Sequence, residues 1–322
     1  MSATDITCEA MASTAVAGLV ELATSPPPDP GLEAALERIG DPTGETWLHL
    51  LGAAVDIDPP RTLPELVRSV GEMPAETFRR LLLGVDVWSW RSLIGRETIE
   101  AAAGGDVVAG RRLLDHDRYY GGRAAEALPT VLPLDAAETK RRFVDALEAA
   151  TRAGLARDAE PLLGRTVADL ARRADASGWI PAIEAVTGYR YVPEPEARRV
   201  VVAPHASGDD LHLAQHRWAR LIVFGAGRPS APDLADVGAA LADGTRIALL
   251  EAIAGGTAEL GGLVDHTGLA RSTVHHHLRR LRAAGLVVVE GNARSYRYRI
   301  ADPGPVLGAL ERLLTPDERT RP

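Results

Sequence analysis

The residues best placed to do chemistry lie between Ala270 and Leu286, in the run ARSTVHHHLRRLRAAGL. Val274, Leu278 and Leu281 are spaced by four and three, so a helix over this run has one apolar face. We expect the rest of its surface to carry hydrogen-bond donors, namely Arg271, Ser272, His275, His276, Arg279 and Arg282. Because arginine bonds both phosphate oxygens and the edge of guanine, this pattern favours recognition of double-stranded DNA.

A basic β-hairpin is predicted directly after this helix. Gly285 is a helix stop, and strands over Val287–Glu290 and Ser295–Ile300 flank a turn at residues 291–294. Seven arginines and one acid lie between Arg271 and Arg299, although the whole chain has a net charge of −8. Phosphate binding needs only a local positive patch, so the acidic balance of the chain does not exclude a nucleic acid partner.

Further helices must position this pair of elements. The spacing predicts helices over Asp233–Leu241, Asp243–Ala254 and Leu260–His266, and a last helix from about Pro305 to Leu314. Between the third of these and the basic helix, Thr267-Gly-Leu269 forms a tight turn in which Gly268 can adopt a positive φ. The order is that of a helix-turn-helix followed by a wing.

A break rich in proline and glycine, at residues 225–232, predicts two domains. Residues 1–228 are predicted to form a helical effector or dimerisation domain, and residues 233–322 a winged helix-turn-helix DNA-binding domain. The predicted fold class is therefore mainly α. The first domain also has a small β element, because Arg198–Ala203 and Arg220–Phe224 are short β-branched runs that form two paired strands. Its predicted helices cover Leu32–Ile39, Thr46–Val55, Leu63–Ser69, Ala75–Leu83, Ile99–Ala103, Ala136–Ala153, Leu162–Ala176 and Ile180–Thr187.

The C-terminal region resembles the winged-helix repressors of the ArsR family. The likeness lies in residues 240–250 (ALADGTRIALL), 269–278 (LARSTVHHHL) and 281–286 (LRAAGL). The chain would be a long form of such a regulator, with an additional N-terminal domain. The resemblance implies a homodimeric repressor that binds an inverted-repeat operator.

Carried over residue by residue, the family's base and phosphate contacts fall on Arg271, Ser272, His275 and His276, and its wing contacts on Asn292 and Arg294. Thr273 and Arg279 complete the predicted DNA-binding set. The chain departs from the family at Ala270, where a serine commonly caps the recognition helix, so we expect Thr267 or Ser272 to provide the cap. It also has His275 where the family commonly has serine, which implies a different operator.

The family's best-known effectors are metal ions, but their usual ligands are missing from this sequence. Metal-sensing members have a Cys-x-Cys pair on the helix before the turn, and residues 259–266 contain no cysteine. Other members use aspartate and histidine on the last helix, and residues 306–319 contain no histidine. Adjacent residues of a helix point about 100° apart, so the His275–His277 triplet does not converge on one ion. We expect no metal and no cofactor here, and a signal, such as an unidentified small-molecule effector, that enters through the N-terminal domain.

A second group of polar residues leaves an alternative function open. His205, Asp209, Asp210, His212 and His216 lie between the two predicted strands. A helical segment would place His212 and His216 on one face, as zinc or manganese sites require, whereas the simpler interpretation is a polar connecting loop. The alternative function is a metal-dependent enzyme with a fused DNA-binding module. No nucleophile or phosphate-binding motif supports it, so we expect no catalytic residues and no enzyme activity.

The cysteine count and the length of the apolar segments indicate the cellular compartment. Cys8 is the single cysteine, which excludes an intramolecular disulfide and is typical of a reducing cytosol. The apolar run from Met11 to Leu22 is too short to cross a bilayer. We therefore expect a cytoplasmic protein that does not enter the membrane.

Overall fold

The computed structural model describes residues 6–226, 233–292 and 295–315. In chain order the elements are β1 (Thr7–Ala10), α1 (Thr14–Thr24), α2 (Pro30–Ile39), α3 (Glu45–His49), α4 (Leu51–Asp56), α5 (Leu63–Glu72), α6 (Ala75–Leu82), α7 (Trp88–Leu93), α8 (Arg96–Ala103), α9 (Val107–Leu114), α10 (Ala124–Ala127), α11 (Ala136–Ala153), α12 (Glu160–Ser177), α13 (Trp179–Thr187), β2 (Tyr189–Tyr191), β3 (Arg199–His205), β4 (Leu211–His216), β5 (Ala219–Gly225), α14 (Leu234–Leu241), α15 (Gly244–Ala254), α16 (Leu260–Thr267), α17 (Arg271–Ala283), β6 (Val287–Gly291), β7 (Tyr296–Ile300) and α18 (Gly304–Leu314). The predicted fold class, mainly α with a small β element and a C-terminal winged helix, is confirmed.

The chain forms two compact units, and each contains two separate stretches of sequence. The first unit is Met1–Asp169 with Pro195–Ala226, and the second is Leu170–Glu194 with Gly227–Pro322. The sequence-based division placed residues 170–194 in the first domain. The structure places them in the second unit, because β2 pairs in parallel with β6, about a hundred residues later in the chain.

The first unit is a helical body built against a four-stranded sheet. The strand order is β1-β3-β5-β4, with β1–β3 and β3–β5 parallel and β4–β5 antiparallel. The two strands predicted near residues 198–203 and 220–224 are therefore present and paired. The segment between them, predicted as a loop or a helix, forms β4 instead, because the turn at residues 206–210 returns the chain along the edge of β5.

Aromatic side chains fill much of the core of the first unit. The rings of Trp47, Phe78 and Phe143 are in contact, with centroids 5.0 and 5.4 Å apart. Tyr119 and Tyr120 are fully buried, and each hydroxyl donates to a main-chain carbonyl of Leu83 or Leu82. Both tyrosines thus contribute to the core.

The second unit contains the winged helix. Its buried side chains come from α15, α16, α17, β6 and β7, and they include Leu249, Leu263, Val274, Leu278, Leu281, Val287 and Tyr298. The sheet has the order β2-β6-β7, with β6 and β7 antiparallel. In the part of the chain that the structure describes, no helix is long and apolar enough to cross a membrane.

Candidate nucleic-acid interface

Helix α17 is fixed in the second unit by its apolar face. The preceding helix α16 ends at Gly268, whose φ of 66° is readily adopted only by glycine and turns the chain into the next helix. Val274, Leu278 and Leu281 are each at most 1% exposed and pack in the core. The face opposite these residues is therefore directed to solvent.

The exposed face of α17 carries most of the predicted DNA-binding residues. The exposed ones are Arg271, Ser272, Thr273, His275, His276 and Arg279. Arg280, which is absent from the predicted DNA-binding set, is also exposed. Its position, four residues after His276, was the available signal, because residues four apart share one face of a helix.

Arg282 is not on this surface, contrary to the sequence-based expectation. It is 9% exposed, and its Nη1 donates to the carbonyl oxygen of Thr187 at 3.3 Å. The position follows from the helix period, because residue 282 continues the buried row of Val274 and Leu278 at a spacing of four. The guanidinium therefore joins the recognition helix to the end of α13.

The N-terminus of α17 has no side-chain cap. Ala270 occupies the cap position and provides no hydrogen bond to the helix. The expectation that Thr267 caps α17 is wrong, since its hydroxyl donates to the Leu263 carbonyl at 2.8 Å within α16. The expected Ser272 cap is not formed either. Among the described residues, no side chain therefore accepts a hydrogen bond at the positive end of the dipole of this helix.

Two residues of the ALADGTR motif, Asp243 and Arg246, stabilise the connection between α14 and α15. Asp243 caps α15 by accepting the Arg246 N–H at 3.0 Å. The Arg246 guanidinium donates back to the carbonyls of Ala239 and Ala240, at 2.8 and 2.7 Å, and so closes the end of α14. His277 of α17 faces this corner, with its Nδ1 4.0 Å from the Asp243 carboxylate. His277 is therefore directed inward, whereas His275 and His276 are exposed.

The wing is held by one buried carboxylate. Glu290 of β6 accepts hydrogen bonds from Arg297 at 3.0 Å and from Arg299 at 2.8 Å, both on β7. The hydrogen bonds from Arg297 hold the pKa of the Glu290 carboxyl below its ordinary value. Part of the positive charge counted from the sequence is thus neutralised within the hairpin.

Of the two residues predicted to contact DNA from the wing, Asn292 and Arg294, the structure describes only Asn292. Asn292 is half-buried; its amide nitrogen donates to the Val192 carbonyl at 3.4 Å, and its side-chain oxygen accepts the Ser295 N–H at 3.4 Å. It therefore shapes the turn of the hairpin and joins it to the segment after β2. Arg294 lies outside the described residues.

Strand β2 extends the wing sheet at the outer edge of β6. Tyr189 and Tyr191 are buried, and the Tyr189 hydroxyl donates to the Gly291 carbonyl at 2.7 Å. The Val192 N–H donates to the same carbonyl at 2.8 Å. Strand β2, which was not predicted from the sequence, connects the wing directly to α13.

The five polar residues of the 205–216 segment do not meet at one point: the rings of His205 and His212 are neighbours, with centroids 5.6 Å apart, but His216 is directed elsewhere. His205 Nε2 lies 3.0 Å from the Asp210 carbonyl oxygen, whereas His216 Nε2 lies 2.8 Å from a carboxylate oxygen of Asp56. Because β4 is a strand, His212 and His216 are about 13 Å apart along it, which is too far for one ion. Among the described residues, no three histidine, cysteine, aspartate or glutamate side chains form a group that could hold a metal.

Comparisons with known proteins agree on the class of the second unit. Residues 243–289 match the family model described as "Bacterial regulatory protein, arsR family". The chain is also 48% identical over 69 residues to the HTH-type transcriptional regulator CmtR of Mycobacterium bovis and to that of Mycobacterium tuberculosis. This match covers 21% of the chain and spans 58% of the length of each relative. No solved structure gives a significant match.

The matched segment contains the Asp243 cap, the turn at Gly268 and the whole of α17, so the sequence match and the geometry describe the same elements. The predicted resemblance is confirmed. The C-terminal part of this chain is a winged helix-turn-helix in which residues 243–289 match the ArsR family model, and a long N-terminal region precedes it.

Proposed function

We propose that this protein is a sequence-specific DNA-binding transcriptional regulator that acts as a homodimeric repressor. The observation that carries the proposal is the row of exposed donors on α17, backed by the buried row of Val274, Leu278 and Leu281. A helix anchored in this way presents a rigid, polar face that fits the major groove. The family match of the same residues and the names of the regulators that resemble them support the proposal.

The dimer is proposed to form through α18 and α14, which pack on each other. In α18, Leu307, Leu310, Leu313 and Leu314 are exposed, and Leu241 of α14 is exposed as well. Leucines clustered on neighbouring helices favour an apolar contact rather than a solvated surface. A second copy of the chain is the proposed occupant, because a two-fold dimer matches the two half-sites of an inverted repeat.

Regulation is proposed not to depend on metal at the positions that the family commonly uses. Residues 259–266 contain no cysteine and residues 306–319 contain no histidine. The alternative of a metal-dependent enzyme is not favoured, because His205 and His216 bond to different groups, the Asp210 carbonyl and the Asp56 carboxylate. An effector that binds elsewhere is the simpler proposal.

The test is a fluorescence anisotropy titration of the full chain with duplexes from its own upstream DNA. Arg271→Ala and His276→Ala should each weaken operator binding by about 5- to 150-fold, the range for a lost base contact of about 1–3 kcal/mol, and should narrow the difference between operator and random duplex. Arg280→Ala should weaken binding to every duplex and reduce the slope of log K against log salt by about 1.

The matched control is Arg112→Ala, which removes an exposed arginine from α9 in the first unit and should leave the titration unchanged. Equal affinity of the unaltered chain for operator and random duplex at every salt concentration would contradict sequence-specific regulation.

A further inference from the structure

The first unit contains a cavity of about 590 Å³. Helices α6, α8 and α9 and the segment at residues 129–136 line it, and it is open to solvent on one side. Apolar side chains, among them Ala102, Val107, Leu114 and Leu132, supply much of the wall. This size lies within the range of small-molecule sites in proteins, and all lining residues belong to the first unit.

One buried cation lines this cavity. Arg79 of α6 is only 4% exposed. Its Nη2 donates to the Leu132 carbonyl at 2.8 Å and its Nη1 to the Leu134 carbonyl, while its buried Nε has no hydrogen-bond partner. Burial lowers the pKa of the Arg79 guanidinium, the direction expected for a charge removed from water.

The charge of Arg79 is not balanced by a neighbouring ion pair. In the described parts of the chain no carboxylate lies within 4.0 Å of its guanidinium nitrogens. Three carboxylates line the same cavity, those of Glu76, Asp106 and Asp135, and all three residues are exposed to solvent. Asp106 and Asp135 serve as N-caps of α9 and α11, at 2.9 and 2.7 Å from the N–H groups they accept, and Asp135 partly offsets the effect of burial on the pKa of Arg79. An unpaired buried charge is costly, and an anion bound in the cavity would remove that cost.

We propose that this cavity binds a small organic carboxylate, whose charged group pairs with Arg79 and whose apolar body packs on Ala102, Val107 and Leu114. The guanidinium has five N–H donors and uses two of them on main-chain carbonyls, so donors remain for a carboxylate. Arg111, exposed at the rim, adds a second positive charge on the entry side. A cavity with apolar walls and a single buried cation selects an amphipathic anion over a neutral or cationic analogue of the same shape.

The experiment measures binding to the full chain by isothermal titration calorimetry, with benzoate, 2-naphthoate and octanoate, each compared with its primary amide. The amide has nearly the same shape but no charge, so the comparison isolates the pairing with Arg79. At least one carboxylate should bind at least about tenfold more tightly than its amide. Binding of no carboxylate, or equal binding of carboxylate and amide in all three pairs, would overturn the proposal.

Three variants locate the site. Arg79→Met should abolish the preference for carboxylate over amide, and Ala103→Phe should abolish binding of both by filling the cavity. Arg111→Glu, at the exposed rim, should weaken carboxylate binding several-fold, whereas Arg112→Glu, the adjacent exposed residue outside the cavity lining, should not. If Arg79→Met does not fold, the binding measurements on Ala103→Phe, Arg111→Glu and Arg112→Glu test whether the carboxylate binds in this cavity. Unchanged carboxylate binding in both Ala103→Phe and Arg111→Glu would overturn the assignment.

An effect of the bound carboxylate on DNA affinity would make it the effector, and that consequence alone rests on the proposed function. Calorimetry reports ligand binding whether or not the chain binds DNA. Anisotropy with and without 2-naphthoate tests the coupling separately, so failure of either proposal is recognised independently.

Discussion

The arginine side chains of α17 and of strand β7 occupy three environments, and these decide which of them can contact DNA. Arg271, Arg279 and Arg280 are on the exposed face of α17. Arg297 is exposed on β7 but bonded to the buried carboxylate of Glu290, and Arg282 is buried against the Thr187 carbonyl. The arginines of the first group are exposed and not bonded to Glu290, whereas Arg297 and Arg299 are bonded to it. Recognition should therefore depend on α17 more than on the paired arginines of the wing.

Glu290 gives the wing a predictable dependence on pH. Its folded-state pKa is below the ordinary value, so its stabilising effect is present above the ordinary pKa of about 4.3 and is lost as pH falls through the lower folded value. We expect the main-chain amides of the wing to lose protection against hydrogen exchange as pH is lowered through this range. In Glu290→Gln that loss should disappear, with lower protection already at pH 7, because a neutral amide binds Arg297 and Arg299 less strongly.

Hydrogen exchange of the β6–β7 peptides, corrected for the intrinsic pH dependence of exchange, measures this effect. Glu251→Gln, on the exposed surface of α15, is the matched control and should behave as the unaltered chain does. An unchanged pH profile in Glu290→Gln would show that the ion pairs do not hold the wing.

The burial of single residues could be predicted from the sequence where it follows the helix period. It could not be predicted where a partner distant in sequence determines the position of the side chain. The apolar row of α17 and the exposure of Arg271 and His276 follow from spacing alone. Arg282 belongs to the buried row by the same spacing, yet its charge suggested the surface. Its partner, the carbonyl of Thr187, lies 95 residues earlier, and no local pattern marks it.

The wing is a sheet of three strands in which β2 comes from a remote part of the chain. The outer edge of β6, which would otherwise expose its N–H and carbonyl groups, is covered by β2. The Gly291 carbonyl accepts both the Tyr189 hydroxyl and the Val192 N–H. The position of the wing therefore depends on α13 and β2 as well as on the helix-turn-helix.

Removal of one hydroxyl tests this dependence. Tyr189→Phe keeps the buried ring but removes the hydrogen bond to Gly291. It should destabilise the closed wing against local opening by about 1 kcal/mol, which makes exchange of the β6 amides roughly fivefold faster. Tyr296→Phe removes an exposed hydroxyl from β7 in the same sheet and should have little effect. Equal protection of β6 in both variants would contradict a role for β2 in holding the wing.

Elements with a strong local pattern were predictable, and short elements stabilised by distant partners were not. Helix α11 has the predicted bounds, because Asp135 caps it and Gly154 ends it in a left-handed conformation. Strand β2 is only three residues long, so it gives no period to detect, and its pairing partner is β6. The long-range pairing of β1 with β3 escaped prediction for the same reason.

At the scale of the molecule, the proposed dimer makes a direct prediction. Leu307 and Leu314 of α18 are 54% and 77% exposed, so replacing both with aspartate should not disturb the fold of one chain. Placing two charges in an apolar contact between copies should give a monomer and weaken binding to an inverted repeat by at least about tenfold. Sedimentation velocity measures the first effect and anisotropy the second.

The control for the dimer is Val108→Asp, which adds a charge at an exposed apolar position of α9 in the first unit. It should change neither mass nor DNA affinity. A double aspartate variant that sediments as the unaltered chain does would exclude α18 as the dimer contact.

The pairing of β2 with β6 also sets the order in which the newly made chain acquires function. Tyr189 and Gly291 are 102 residues apart, so at about 5–20 residues per second β2 leaves the ribosome roughly 5–20 s before its partner strand exists. During that interval Tyr189 and Tyr191, which are buried in the folded unit, lie on a strand that has no partner. The DNA-binding unit is therefore completed late in synthesis, and a nascent chain arrested before residue 287 cannot yet form the wing.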